Sequence, residues 1–507
     1  MRNKFRVRKI DLEAGKFFVV LNFEDAQKLG LYPQDRVKIT HNGKTVTGIV
    51  EISKSMISEG EVGCYLELCE SLSLKGGEEI TITPTSRPIS VEYIKKKIEG
   101  KKLSREEIEK IVEDIVLENL SDIELTAYIT SVMIHGMDMD EITALTESMV
   151  KTGETIDFEY PIFDVHSIGG VPGNKYAPIA VSIGAANGLK IPKTSSRAIS
   201  SACGTADLME VLTNVELSPE EIKKVVNEVG ATLVWGGSIN LAPADDKIIR
   251  VEYPLSVDPK PQLLASVMAK KKAVGADYVV IDIPVGKEAK VKNMKEARDL
   301  AMDFIKLGER LGMRVECAIT YGGQPIGRAI GPALEAREVL MILENNPPST
   351  SIVEKSLEIA GLLLELGGLA WKGQGKDLAR NTLRSGKARE KFLEIINAQG
   401  SKNIEKSEDV LVGKYTYDIL APTEGYVGEI HNSLFVKIAR IAGAPKDKGA
   451  GIYLHKKKGD KVDENEPLFT IYSNSKHKLE MAVEFARRNP PAVIEGMLLE
   501  RIPSFSD

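Results

Sequence analysis

Apolar and polar residues alternate with period two through FRVRKID, KFFVVLN, RVKITHNGKTVTGIVEI, CYLELCE and EEITITP, so residues 1–86 are predicted to be rich in β-strands. His41-Asn42-Gly43-Lys44 supplies an Asn-Gly hairpin turn between two of these runs. At Ser90 the period becomes helical. Ser104 with Glu107 and Ser121 with Glu124 form S-x-x-E capping boxes, each followed by apolar residues at helical spacing, and Ile129, Met133 and Leu145 fall on the predicted buried faces. His135, just before Gly136, sits where a histidine caps a helix C-terminus.

Further on, the strand-like runs IFDVHSI, ATLVWGG, YVVIDIP and MRVECAIT are separated by helical runs such as 219–228 and 297–311. Ser218-Pro219-Glu220-Glu221 is a capping box with proline at the first helical position. Strands spaced by helices predict a largely parallel sheet with helices on its faces. Residues 243–272 read as helical again, and from about Tyr415 the chain returns to short strands. No internal repeat and no low-complexity linker is evident.

Candidate chemistry gathers in residues 164–210. Two turns rich in glycine and hydroxyls flank a short apolar segment, 177–188, that suits a helix starting just after bare backbone N–H groups. Glycine lets backbone approach a ligand, and the positive end of a helix favours phosphate. The second turn carries five short hydroxyls, Ser195, Ser196, Ser200, Ser201 and Thr205, together with Arg197, and is followed by Asp207 and Glu210. An ordinary turn needs no such density of donors. Helix capping is the competing explanation for the serines, and Asp207 suits either orienting Arg197 or capping.

The run S-S-R-A-I-S-S-A-C-G-T-A-D-L-M-E resembles the signature of the thymidine and pyrimidine nucleoside phosphorylase family, and H-S-I-G-G resembles that family's phosphate loop. The likeness extends from about residue 88 onward. The additional N-terminal region and several substitutions resemble an archaeal branch that cleaves nucleoside monophosphates. The fold class implied is multidomain α/β. Residues 1–86 form a β-rich domain, in which EDAQKLGLYPQDRVKI resembles half of a double-psi barrel. Residues 87–155 and 243–273 form a small all-α lobe, 156–242 and 274–412 an α/β lobe with a mainly parallel sheet, and 413–507 an α+β domain like a barrel-sandwich hybrid. The active-site cleft is expected between the α and α/β lobes.

The implied reaction is phosphorolysis: phosphate attacks the anomeric carbon while the base departs, so that AMP gives adenine and ribose 1,5-bisphosphate, with CMP and UMP as further substrates. Inorganic phosphate is then a co-substrate, and neither cofactor nor metal is expected. For phosphate the expected residues are Ser167, Gly169 and Gly170 from the first loop and Ser195, Ser196, Arg197, Ala198, Ile199, Ser200, Ser201 and Thr205 from the second. His166 is expected near sugar and base, or else as a structural histidine. The thymidine branch has a phosphate-binding lysine where this chain has Val165, so Lys175 or another residue substitutes, or the anion is held differently. Asp258, an N-cap candidate, is also a candidate general acid for a departing purine. Ser266 and Lys270, four residues apart on one helix face, are expected on the base. Lys290 follows the strand YVVIDIP and is expected on the substrate's own phosphate or on the nucleophile. The family's pyrimidine-contacting arginine aligns with Val251, and Arg250 is one residue out of phase. Pyrimidine nucleoside phosphorolysis is therefore the alternative activity, and a catalytically inactive binding protein the alternative of another class.

Composition sharpens the substrate class. The 507 residues carry a formal net charge of −6, yet Lys193, Arg197, Lys270, Lys271, Lys272, Lys287, Lys290 and Lys292 concentrate around the motifs. A local basic patch on an acidic protein suits a small anion and argues against nucleic acid. Cys64, Cys69, Cys203 and Cys317 are too sparse for a disulfide framework, and Cys64 and Cys69, in a strand-like run, suit packing over zinc. Without a signal-peptide pattern or a membrane-length apolar run, a cytoplasmic protein is expected. Scarce Gln with abundant Glu and Lys leans toward a thermophile. A homo-oligomer built through the N-terminal domain completes the expectation.

Overall fold

The computed structural model describes residues 3–198 and 201–496. Ile199 and Ser200, both expected to bind phosphate, lie outside the described residues. The chain divides into two compact units, Met1–Thr152 with Pro243–Gln262, and Gly153–Ala242 with Leu263–Asp507.

The first unit opens with strands β1 (Lys4–Lys9) and β2 (Phe18–Asn22), helix α1 (Phe23–Leu29), strands β3 (Arg36–His41), β4 (Lys44–Ser53) and β5 (Glu61–Cys64), helix α2 (Leu66–Leu72) and strand β6 (Glu79–Pro84). The six strands close into a barrel in the order β1-β5-β2-β4-β3-β6. The barrel contains a structural repeat that is not evident as a repeat in the sequence. β1-β2-α1-β3 and β4-β5-α2-β6 have the same order, and each half's first strand pairs in parallel with the other half's second, Arg6 beside Glu61 and Phe18 beside Ile49. Both helices end in a left-handed residue, Gly30 at φ 67° and Ser73 at φ 55°. The half-barrel pattern around residues 24–39 is thus the first of two copies.

The second copy was concealed because CYLELCE alternates like a strand. In the structure the strand stops at Cys64, and α2 turns Leu68, Cys69 and Leu72 inward at helical spacing. Cys69 Sγ donates to the Cys64 carbonyl at 3.4 Å, which fits buried packing for both thiols. Asn42 and Gly43, at φ 47° and 78°, make the expected hairpin.

Four helices follow, α3 (Ser90–Ile98), α4 (Arg105–Val116), α5 (Asp122–His135) and α6 (Met139–Lys151). Both predicted capping boxes form, and Asp138 with Glu141 makes another. Ile129 and Leu145 are buried, but Met133 is 56% exposed. The buried face of α5 runs through Leu125, Tyr128, Ile129 and Val132, and Met133 lies one step round the helix from it. His135 does cap a helix end, though of a neighbour: its Nε2 is 3.1 Å from the Ile98 carbonyl at the end of α3.

The second unit contains β7 (Phe163–Ser167), α7 (Tyr176–Ala186), β8 (Ile191–Ser195), α8 (Thr205–Leu212), α9 (Pro219–Val229) and β9 (Ala231–Trp235). The chain then forms α10 (Pro243–Leu255), which belongs to the first unit, and α11 (Lys260–Ala273), inside which the units' boundary falls. Next come β10 (Tyr278–Val285), α12 (Met294–Arg310), β11 (Arg314–Tyr321) and the short β12 (Ala329–Ile330). Strands β11, β10 and β7 pair in parallel, β8 pairs in parallel with β9, and the parallel bridge Ile162↔Lys190 links the two sets. β8 was not anticipated, because IPKTS offers neither alternation nor an apolar run.

Helices α13 (Pro332–Leu343), α14 (Thr350–Leu366), α15 (Gly375–Arg384) and α16 (Lys387–Ala398) complete this part of the unit. Phe163 and Val165 from β7, Ile179 and Ile183 from α7, and Leu363 and Leu364 from α14 share one core there. The chain ends with β13 (Tyr415–Leu420), β14 (Gly425–Ile430), α17 (Asn432–Ala442), β15 (Gly451–Leu454), β16 (Lys461–Val462), β17 (Pro467–Ser473), α18 (Lys476–Arg488) and β18 (Ala492–Glu495). These elements form two sheets, one of them completed by β12, around a core that contains Phe435 and Phe469, which meet edge to face, and takes in Ala202 and Ile330.

Candidate functional site

Parallel strands bring their C-terminal ends to one edge of the sheet, where α/β proteins bind ligands. Here that edge carries His166 and Ser167 from β7, Ser195 from β8, and the loop after β10 that holds Lys290.

The first loop is shaped by glycine. Gly169 and Gly170 have φ of 80° and 87°, and a Cβ on Gly170 would lie 2.8 Å from the Lys290 backbone nitrogen. Only the missing side chain lets the loop after β10 settle against the loop after β7. Ser167 Oγ accepts from Gly169 N at 3.2 Å and from Asn174 Nδ2 at 3.0 Å, so its own proton is available for donation. Asn174 also donates to Asp282 Oδ2 at 3.1 Å. Asp282 is fully buried in β10, beside Ser167 in register, and takes Thr320 Oγ1 at 2.5 Å and the Lys355 ammonium at 2.8 Å. None of the glycine and hydroxyl motifs marks this network. Its signal was Asp282 itself, a carboxylate inside the otherwise apolar YVVIDIP.

Lys175 does not stand in for the missing lysine at Val165. It is fully buried, donates to the carbonyls of Gly173 at 2.9 Å, Ala329 at 3.0 Å and Ile326 at 3.3 Å, and pairs with Glu338 at 3.0 Å.

In the second loop the Arg197 guanidinium is spoken for. It binds Glu210 through two hydrogen bonds of 2.7 Å, reaches Glu216 at 3.1 Å and lies over the Trp235 ring at 4.6 Å. Hydrogen bonding to Arg197, with Lys448 beside it, holds the Glu210 carboxyl down to about 2. Arg197 therefore shapes the loop, with its guanidinium committed to Glu210 and Glu216. Asp207 fills both anticipated roles: Oδ2 accepts from Gly204 N at 2.9 Å, capping α8, and Oδ1 lies 3.8 Å from Arg197. The same Oδ2 accepts from Ala198 N at 2.7 Å, so that N–H is already used. Ser195 Oγ donates to Val234 O at 3.0 Å and Ser201 Oγ to Cys203 O at 3.2 Å, while Thr205 opens α8.

The C-terminal elements hold these loops from outside. Arg440 donates to Ser201 O at 2.9 Å, Lys448 pairs with Glu210 at 2.6 Å, and Glu288, two residues before Lys290, accepts from Ser433 N at 2.9 Å and lies 3.0 Å from His431 Nδ1.

His166 is surrounded by cations. Burial, then Lys271, Lys193, Lys270 and Lys290, push its imidazole well below the usual histidine range, so it is neutral at physiological pH. Lys271 binds Asp164 at 2.5 Å, and Lys193 lies 3.8 Å from the same carboxylate. Lys270 and Ser266 stand on one face of α11, 3.4 Å apart, as their spacing predicts. Asp258 precedes α11 by two residues, one position short of the expected N-cap. Arg250 donates to Gly15 O at 2.7 Å and lies 3.4 Å from Asp122, so it too is occupied. Lys193, Lys271 and Asp164 were absent from the predicted site, although a charged Asp164 within IFDVHSI was the available sign.

Such an edge, hydroxyl-lined and cationic at the end of a parallel sheet, has the chemistry that suits a small anion. Comparison with known proteins places the chain in a class. The description "Glycosyl transferase family, helical bundle domain" matches residues 91–153, "Glycosyl transferase family, a/b domain" residues 159–389, and "Pyrimidine nucleoside phosphorylase C-terminal domain" residues 426–491. The AMP phosphorylase of Methanocaldococcus jannaschii is 54% identical over 503 residues, 99% of each chain. That of Methanococcoides burtonii is 52% identical over 505 residues, 99% of this chain and 100% of the relative. The chain belongs to the AMP phosphorylase family. Anthranilate phosphoribosyltransferase from Thermus thermophilus shares the fold at 20% identity and a TM-score of 0.51, over 60% of this chain and 98% of that one.

Proposed function

We propose that the protein catalyses phosphorolysis of AMP to adenine and ribose 1,5-bisphosphate, and that it also accepts CMP and UMP. The observation that carries this reading is the charge at the sheet edge. Lys193, Lys270, Lys271 and Lys290 all act on His166 and push its imidazole down, so four cationic side chains converge on the end of β7. Such a convergence of cations suits two phosphate groups, the attacking one and the 5′-phosphate of a nucleotide; a plain nucleoside brings none of its own.

In the proposed reaction an oxygen of inorganic phosphate attacks C1′, the N-glycosidic bond breaks, and its electron pair leaves with the base. Ser167, the Gly170 N–H and the second loop supply hydrogen-bond donors that orient the nucleophile. Neutral His166 contributes a hydrogen bond to sugar or base rather than a proton. Lys290 takes the 5′-phosphate, Ser266 and Lys270 the base, and Asp258 protonates the departing ring. Asp258→Asn is expected to lower kcat by about 100-fold or more with little change in KM; unchanged kcat removes Asp258 from the mechanism. The engagement of Arg250 with Gly15 and Asp122 speaks against a thymine-type contact there.

Nucleotide and phosphate substrates suit a cytoplasmic enzyme, and among the described residues no helix is long and apolar enough to cross a membrane. The N-terminal barrel is proposed to carry a homo-oligomer. Light scattering of the chain without residues 1–86 tests this, and an assembly of undiminished size would refute it.

A further inference from the structure

Two buried ammonium groups share one carboxylate beside the phosphate loops. Lys271 Nζ binds Asp164 Oδ2 at 2.5 Å, and Lys193 Nζ lies 3.8 Å from Asp164 Oδ1, with Asp164 fully buried and the two lysine side chains 1% and 5% exposed. A buried charge without a counter-ion is costly, and one carboxylate neutralises only one of these two. Lys193 therefore has a surplus. Its hydrogen bond, 2.6 Å to the Thr194 carbonyl, goes to a neutral acceptor and leaves further ammonium protons to donate.

Position on the chain says what the surplus is for. Lys193 stands on β8 two residues before Ser195, where the second hydroxyl-rich loop begins, and it acts on His166 at the end of the neighbouring strand. We propose that Lys193 is the buried cation that binds the attacking inorganic phosphate, with Asp164 and Lys271 setting its position. This rests on the phosphorolysis reading and adds to it a ligand that none of the motif residues supplied.

Burial and the charges of Lys271 and Lys270, opposed by Asp164, bring the Lys193 ammonium down to about 7. Asp164 and His166 of β7, Lys270 and Lys271 of α11, and Lys290 of the loop after β10 are the charged and titratable groups acting in this cluster. An arriving phosphate dianion favours the protonated form of Lys193, so binding and protonation reinforce each other.

The test is equilibrium binding of inorganic phosphate alone to the full-length protein by calorimetry, for the wild type, Lys193→Met and Lys193→Arg. Lys193→Met is expected to weaken phosphate on the order of 10- to 100-fold, the range for a hydrogen bond to a charged group. Lys193→Arg keeps the cation and is expected to retain most of the affinity. Undiminished affinity in Lys193→Met overturns the proposal. So does an equal loss in both variants, which marks a packing role. No nucleotide is present, so a failure here is distinct from a failure of the AMP reading, which would appear as absent turnover with phosphate still bound.

Discussion

Replacing Lys175 by Met separates a structural lysine from an anion-binding one. The Lys175 ammonium satisfies three carbonyls of the segments flanking the first loop and neutralises Glu338, which is 1% exposed. Glu338 in turn accepts the amides of Arg328 at 3.0 Å and Ala329 at 2.9 Å. Loss of one partner from a buried pair costs about 3–5 kcal/mol. The lower end applies, because the stranded carboxylate keeps its backbone donors and can take up a proton. About 3 kcal/mol corresponds to roughly 100-fold easier local opening. Hydrogen exchange of the peptide spanning Ile326 to Ile330, measured without ligand, should accelerate by that factor, with the KM for phosphate nearly unchanged. Exchange at the wild-type rate together with a tenfold rise in phosphate KM would refute the reasoning and make Lys175 an anion ligand.

Burial beneath the same loops raises the Glu335 carboxyl to about 7, against 4.5 unperturbed. The sign follows from a raised acid: its stability contribution is fully present below about 4.5 and lost as pH rises through 7. Glu335→Gln should therefore be more stable than wild type at pH 8, by up to about 3 kcal/mol, with the advantage shrinking toward pH 5 in denaturant titrations. Gly170→Ala places a Cβ 2.8 Å from the Lys290 backbone and forces alanine to φ 87°. Displacing that loop is expected to raise the KM for nucleotide on the order of tenfold, measured by initial rates, with a smaller effect on the KM for phosphate.

Much of the fold was legible because successive stretches of the chain each keep one period. Alternation announced the barrel strands, capping boxes announced α4, α5 and α9, and strand-helix spacing announced the parallel sheet. What stayed hidden lacked a local signature. β8 is a strand because β7 and β9 flank it, not because IPKTS favours one. α2 is helical because the barrel's pseudo-repeat requires it, despite an alternating sequence. In the candidate site, glycines and hydroxyls mark backbone loops and are visible in a single sequence. Lys193, Lys271 and Asp164 gain meaning only when three elements converge, and Arg197, conspicuous in the motif, is committed to Glu210 by tertiary contacts.

The most direct measurement is release of free base from AMP and from adenosine, each with and without phosphate. Phosphate-dependent cleavage of AMP, with adenosine far slower, is the expected result and establishes that the 5′-phosphate is recognised. Cleavage of adenosine as fast as AMP would contradict the two-phosphate reading of the sheet edge, and no phosphate-dependent release from either substrate would contradict phosphorolysis itself.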